Sequence, residues 1–169
     1  PTLADLGVRL SGDLVGNARV SGPLDALTGA LELTSSNFGI AGSTAEALSV
    51  AAQAEDGRLQ STLSATHLRY DALELNDLRA SADGAYDDFR WAVGAREGAI
   101  NGTLSTQADI LNVRIDQATA QVFNTPVSLA GPAVAVAAGN SLHIEPFCLL
   151  LGSGRACLKQ FSSNTDQLA

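Results

Sequence analysis

Methionine is absent from the 169 residues, lysine occurs once, at Lys159, and aromatic side chains make up only 5%. Charged residues reach 17%, below the roughly 25% of an average soluble domain. Nine of the ten basic residues are isolated arginines, and the formal net charge is −8. No basic stripe exists to neutralise a phosphate backbone, which excludes ordinary nucleic-acid binding. The same acidity opposes attraction to an anionic membrane surface. No apolar run approaches the roughly 18 residues of a spanning helix; the richest, Ala133 to Ala138, is far shorter. No charged-then-apolar leader is visible at the start.

Groups that carry chemistry are equally scarce. The two histidines, His67 and His143, have no metal-ligand spacing between them and read as loop histidines. The acidic pairs Glu55-Asp56 and Asp87-Asp88 sit in turn sequences, where acids cap and solubilise. Gly152-Ser153-Gly154 lacks the spacing of a nucleophile elbow or a phosphate loop. The expectation is a protein without catalytic residues, metal or cofactor.

What the chain does contain is alternation. Leu73 and Leu75 flank Glu74; Leu78, Ala80 and Ala82 alternate with Arg79 and Ser81; Phe89, Trp91 and Val93 alternate with Arg90 and Ala92. Successive side chains of a strand point to opposite faces, so each segment has one apolar and one wet face. The phases recur thirty residues earlier: Phe38 and Ile40 precede Leu68 and Tyr70, Leu48 precedes Leu78, and Leu59 and Leu63 precede Phe89 and Val93. Ser43 to Ala54 is alanine-rich enough to start a helix, yet Leu48, Val50, Ala52 and Ala54 alternate strictly, so a strand is expected.

Leu6, Val8 and Leu10 open the chain in the same pattern, with a break expected at Ser11-Gly12-Asp13 and a return strand to Val20. Phe38 and Ile40 read as a short separate piece. Turn signals recur about every ten residues. The expected fold is therefore all-β: an elongated, curled meander of about 12–14 short strands, continuous over residues 1–160. Residues 161–169 read as a polar, frayed tail. Because the alternation begins at once, at a chain start that is not methionine, the sequence is read as a segment of a longer protein.

The candidate lining of the apolar face follows from phase. It comprises Leu31, Leu33, Leu48, Val50, Ala52, Leu59, Leu63, Leu68, Tyr70, Leu73, Leu75, Leu78, Ala80, Phe89, Trp91 and Val93. It continues through Ile100, Leu104, Leu111, Val113, Ile115, Val122, Val127, Leu129, Val134, Val136, Leu142 and Ile144. Such a face has two fates. It meets an opposite wall as a dry core, or it curls into a groove that seats hydrocarbon, each buried CH₂ contributing about 0.8 kcal/mol. A turn of odd length would flip a strand from one face to the other.

Cys148 and Cys157 lie on either side of Gly152-Ser153, which reads as a hairpin turn. Cysteines on paired strands reach disulfide geometry, which points to an oxidising compartment; two reduced, buried thiols are the alternative.

The repeat LRYDALELNDLRASADG (Leu68 to Gly84) followed by FRWAVGA (Phe89 to Ala95) resembles the repeats of the TamB family, large periplasmic subunits of the translocation and assembly module of Gram-negative bacteria. The run LHIEPFCLLLGSGRACL (Leu142 to Leu158) is similar to that family's paired-cysteine hairpin, with Leu149 where an aromatic is common. The resemblance implies a β-taco, a U-shaped sheet with an apolar interior that carries phospholipid acyl chains between inner and outer membrane. It implies periplasmic location, a full-length parent anchored in the inner membrane, and a role in outer-membrane protein assembly. The implied partner is the outer-membrane barrel TamA, contacted through another part of the parent. The competing expectation is a scaffold that binds unfolded outer-membrane strands by β-augmentation, with a dry core and no lipid. As a segment, the sheet would have open ends, which favour edge-to-edge dimers.

Overall fold

A computed structural model describes residues 10–23, 28–40, 42–71 and 73–164. Among them every regular element is a β-strand, the pairings are antiparallel, and no helix occurs. The expected all-β class is what the described residues adopt, with sixteen strands among them rather than 12–14. Leu6 and Val8 lie outside the described residues. The chain divides into two compact units, residues 1–83 with 94–96, and residues 84–93 with 97–169.

The first unit begins with β1 (Leu10–Ser21), β2 (Thr28–Ile40), β3 (Ser43–Glu55) and β4 (Arg58–Thr66). These pair in chain order, and β7 (Leu78–Ala85) is the neighbour of β4. The alanine-rich β3 is a strand despite alanine's helix preference. It is paired along both edges, by β2 and β4, so its backbone groups and its alternating side chains are satisfied together. Two three-residue strands complete the unit. β5 (Leu68–Tyr70) pairs with the start of β3, and β6 (Leu73–Leu75) pairs with β5.

Two expected breaks are irregularities within continuous strands. The break at Ser11-Gly12-Asp13 is a register shift inside β1, and Phe38 to Ile40 are the end of β2. Asn37 has a φ of 54° and Gly12 a φ of 97°, and a Cβ at Gly12 would overlap the Asn37 carbonyl. Glycine is required there because the bulge brings two backbones together. The phase changes at the same level in β2 and β3. Ser35 and Phe38 are covered while Ser36 and Asn37 are exposed; Ala45 and Leu48 are covered while Glu46 and Ala47 are exposed. His67, with a φ of 47°, stands between β4 and β5 and meets Glu46 Oε2 through Nδ1 at 2.8 Å. The loop histidine expected from sequence thus clips the bulge from its wet side.

The second unit is built on β10 (Ile110–Val122). β9 (Gly98–Gln107) runs along one edge, and β8 (Asp88–Ala95) lies beyond it. The other edge is shared. β12 (Ala133–Ala138) pairs with Ile110 to Ile115, and β11 (Thr125–Leu129) pairs with Thr119 to Val122. From this fork, one branch continues through β14 (Phe147–Leu151) to β15 (Gly154–Leu158), the other through β13 (Ser141–Ile144) to β16 (Phe161–Asn164). The start of the segment read as a frayed tail is therefore a strand. Ile144 pairs with Phe161, so an apolar partner holds what composition marked as polar.

The cysteine hairpin forms as β14 and β15. Cys148 faces Cys157 directly across the ladder in a disulfide, with Cα atoms 4.0 Å apart. A loop this short gains roughly 2–3 kcal/mol from closure in the chain-entropy account. Replacing both cysteines with alanine should lower the urea unfolding free energy by about that much and leave far-ultraviolet circular dichroism unchanged. Loss of the strand signal would show that the bridge holds far more than its hairpin.

Candidate functional site

In an antiparallel sheet, directly paired residues share a face, so register decides which side chains line one surface. In the first unit the pairings stack four rows across β1 to β4. Val20, Gly29, Ala54 and Leu59 form one; Ala18, Leu31, Ala52 and Ser61 the next. Gly16, Leu33, Val50 and Leu63 follow, then Leu14, Ser35, Leu48 and Ala65. No charged residue stands in any row. Beyond the bulge the same face continues through Phe38, Ile40, Ser43 and Ala45, and Tyr70 pairs with Ser43 and with Leu73, Leu68 with Leu75. Leu31, Leu33, Leu48, Val50, Ala52, Leu59, Leu63, Leu68, Tyr70, Leu73 and Leu75 thus fall on one surface. Leu78 and Ala80 of β7 alternate, half-buried, with exposed Arg79 and Ser81. In the second unit Phe89 and Trp91 of β8 are half-buried and flank exposed Arg90, while Val93 lies in a half-buried run.

On the opposite surface of the first unit stand Arg19, Glu32, Gln53, Gln60 and the facing pair Glu55 and Arg58. At the bulge, Asn37, Thr44, Ala45, Glu46, His67, Arg69 and Glu74 line a depression of about 390 Å³. Its polar groups answer one another, His67 Nδ1 with Glu46 Oε2 at 2.8 Å and Arg69 with Glu74 at 3.6 Å. Arg58–Asp83 at 3.5 Å and Arg96–Asp77 at 3.0 Å are likewise exposed pairs. Exposed pairs of this kind contribute little to stability.

In the second unit Leu111, Val113 and Ile115 share a face with Thr106, Leu104 and Gly102 on β9, and with Ala137, Ala135 and Ala133 on β12. Leu142 and Ile144 continue those rows. A register shift at Asp116, whose carboxylate accepts from Arg114 Nε at 2.6 Å, then moves the apolar phase from odd to even positions. Ile100 pairs with Ala118 and Val127 with Ala120; Val122, Leu129, Leu149 and Leu151 belong to the same side.

Val134 and Val136 depart from the expected lining. They pair with Arg114 and Asn112, and Val136 with His143, which puts them on the surface opposite Val113. Both faces of AVAVAA are apolar, so its phase could not be read from residue type; pairing with β10 decides it. The alanines, not the valines, continue the Leu111 face. Sequence reading also omitted Phe147, Leu149 and Leu151, because FCLLL is uniformly apolar and carries no alternation. The ladder separates it. Phe147, Leu149 and Leu151 pair with Leu158, Ala156 and Gly154, whereas the disulfide and Leu150 point to the other side.

Coverage of these faces is partial. Among the described residues, only Ala45, Ala65 and Ala133 are buried apolar positions, and no large side chain is fully buried. Leu31, Leu33, Val50, Leu63, Leu104 and Val113 are half-buried. Tyr70 and Leu73 are 58% and 54% exposed. Within each unit, strands in extended contact are hydrogen-bonded neighbours. Each of these side chains keeps part of its surface exposed. No family model, curated protein or solved structure matches the chain.

Half-buried side chains have less to lose on truncation than packed ones. Leu33→Ala should cost about 1–2 kcal/mol in urea unfolding, against the 2–5 kcal/mol typical of a closed core. A loss in the upper range would mean that Leu33 is sealed by an opposing wall.

Proposed function

We propose that the uncharged apolar face is a seat for the acyl chains of phospholipid, in a periplasmic protein of the TamB type. On this reading the chain is part of a longer conduit between the inner and outer membranes that supports outer-membrane protein assembly, and TamA is engaged elsewhere in the parent. The observation that carries the reading is the set of uncharged rows across β1 to β4, whose leucines and valines remain partly exposed. Exposed apolar surface of this extent favours a hydrophobic occupant. At about 0.8 kcal/mol per CH₂ fully buried, a chain seated against one such wall would gain roughly half that per methylene. Over an acyl chain the sum is ample for capture, and contacts spread evenly along the strands would let the chain slide.

The β-augmentation reading rests on a different feature. Among the described residues β15 pairs with β14 alone, and its five residues are all exposed, which leaves an edge for another strand. It requires no lipid. Native mass spectrometry of the purified chain separates the two. The conduit reading expects co-purifying phospholipid masses, lost in Leu63→Arg and Val113→Arg variants that keep wild-type circular dichroism. A lipid-free wild-type chain that crosslinks to unfolded outer-membrane strands through β15 would replace it.

A further inference from the structure

The turn between β10 and β11 presents an aromatic ring to solvent. Val122 pairs with Thr125, which leaves Phe123 and Asn124 as a two-residue turn with φ values of 47° and 64°. Turns left-handed at both positions favour Asn-Gly or Asp-Gly, and a bulky residue is disfavoured there. The Phe123 side chain is nevertheless 99% exposed, so no packing within the chain compensates for its backbone cost. Neither local conformation nor the core accounts for phenylalanine at this position.

Its surroundings are free of formal charge. No Asp, Glu, Lys or Arg occurs from Gln117 to Ile144 in a chain whose net charge is −8. The neighbouring hairpin end lies alongside, because the Gly152 amide donates to the Pro126 carbonyl at 2.9 Å. Val122 and Leu151, exposed by 46% and 39%, stand at these two ends on the apolar side of their strands. The charged residues closest along the ladder are Glu97 and Arg155. Glu97 is half-buried, and its carbonyl accepts from the Gln121 amide at 2.8 Å. Arg155 pairs with Leu150, on the opposite face from Leu151.

We infer that this lip docks on the interface of a phospholipid bilayer of low surface charge, with Phe123 inserted at the headgroup level and Val122 and Leu151 beside it. Phe and Leu side chains presented at a surface bury into the headgroup–acyl boundary, and the lip holds no ionised group to desolvate. An anionic leaflet would repel the chain as a whole, so a neutral bilayer is the surface it suits. Through Val122, Ala120 and Val127 the lip is continuous with the apolar face. The inference goes beyond the proposed acyl-chain seat, since docking at the lip does not require the face to hold lipid.

The test is flotation of the intact chain with phosphatidylcholine vesicles. The wild-type protein should float with the vesicles, and Phe123→Asp should lower the bound fraction at least five-fold. Phe123→Asn, which suits the turn better, should lose binding to the same extent without lowering the melting temperature. Phe123→Trp in a Trp91→Phe background should retain binding and shift its emission to the blue when vesicles are added. The inference is overturned if the wild type stays in the aqueous fraction, or if the Asp and Asn variants float as it does. It is also overturned if the variants instead abolish self-association without vesicles, which would make the lip a protein contact. Co-purified lipid, weighed on the same Phe123→Asp sample, reports on the acyl-chain seat separately and should match wild type.

Discussion

A pleated strand has two faces, and in both units of this chain the apolar one is met mainly by its own sheet neighbours. Everything else in the structure follows from that arrangement. Stability comes from ladder hydrogen bonds and from side-by-side contact of Leu, Val and Ala along paired rows, not from a sealed interior. Among the described residues, those that reach burial are small: alanines, glycines and Ser35. Hydrophobic area is consequently retained at the surface, in register, over several strands.

Holding one face apolar over strands of up to 13 residues requires corrections, and the irregularities supply them. Asn37 and the Glu46-Ala47 pair lie at one level of β2 and β3, where the phase steps by one residue in both strands together, while at Gly12 the register of β1 shifts against β2. Asp116 steps the phase of β10 alone, shifting its register against β9. Matched bulges turn the ladder without exchanging its faces, and the His67–Glu46 contact stands at that step on the polar side.

The all-β class, the strand identity of β3, the cysteine hairpin and most of the first unit's apolar face were legible in the sequence, because Leu and Val alternate there with Arg, Glu, Ser and Gln. Legibility failed where residue type carries no contrast. AVAVAA and FCLLL are apolar on both sides, so only pairing with β10 and β11 shows that Val134 and Val136 face away while Leu149 and Leu151 face in. The bulge at Gly12 looked like a chain break because glycine beside serine and aspartate signals a turn and a bulge alike. The strand at Phe161 was hidden by polar neighbours, since its hold on the sheet comes from backbone pairing and one aromatic contact row.

The account stands on the apolar faces being open to solvent until a ligand covers them. Hydroxyl-radical footprinting of the delipidated chain tests this directly, residue by residue. Leu33, Leu63 and Val113 should be oxidised at rates approaching that of exposed Leu73, and addition of phospholipid should protect them. If those three side chains are already protected without lipid, the faces are closed cores and the account is wrong.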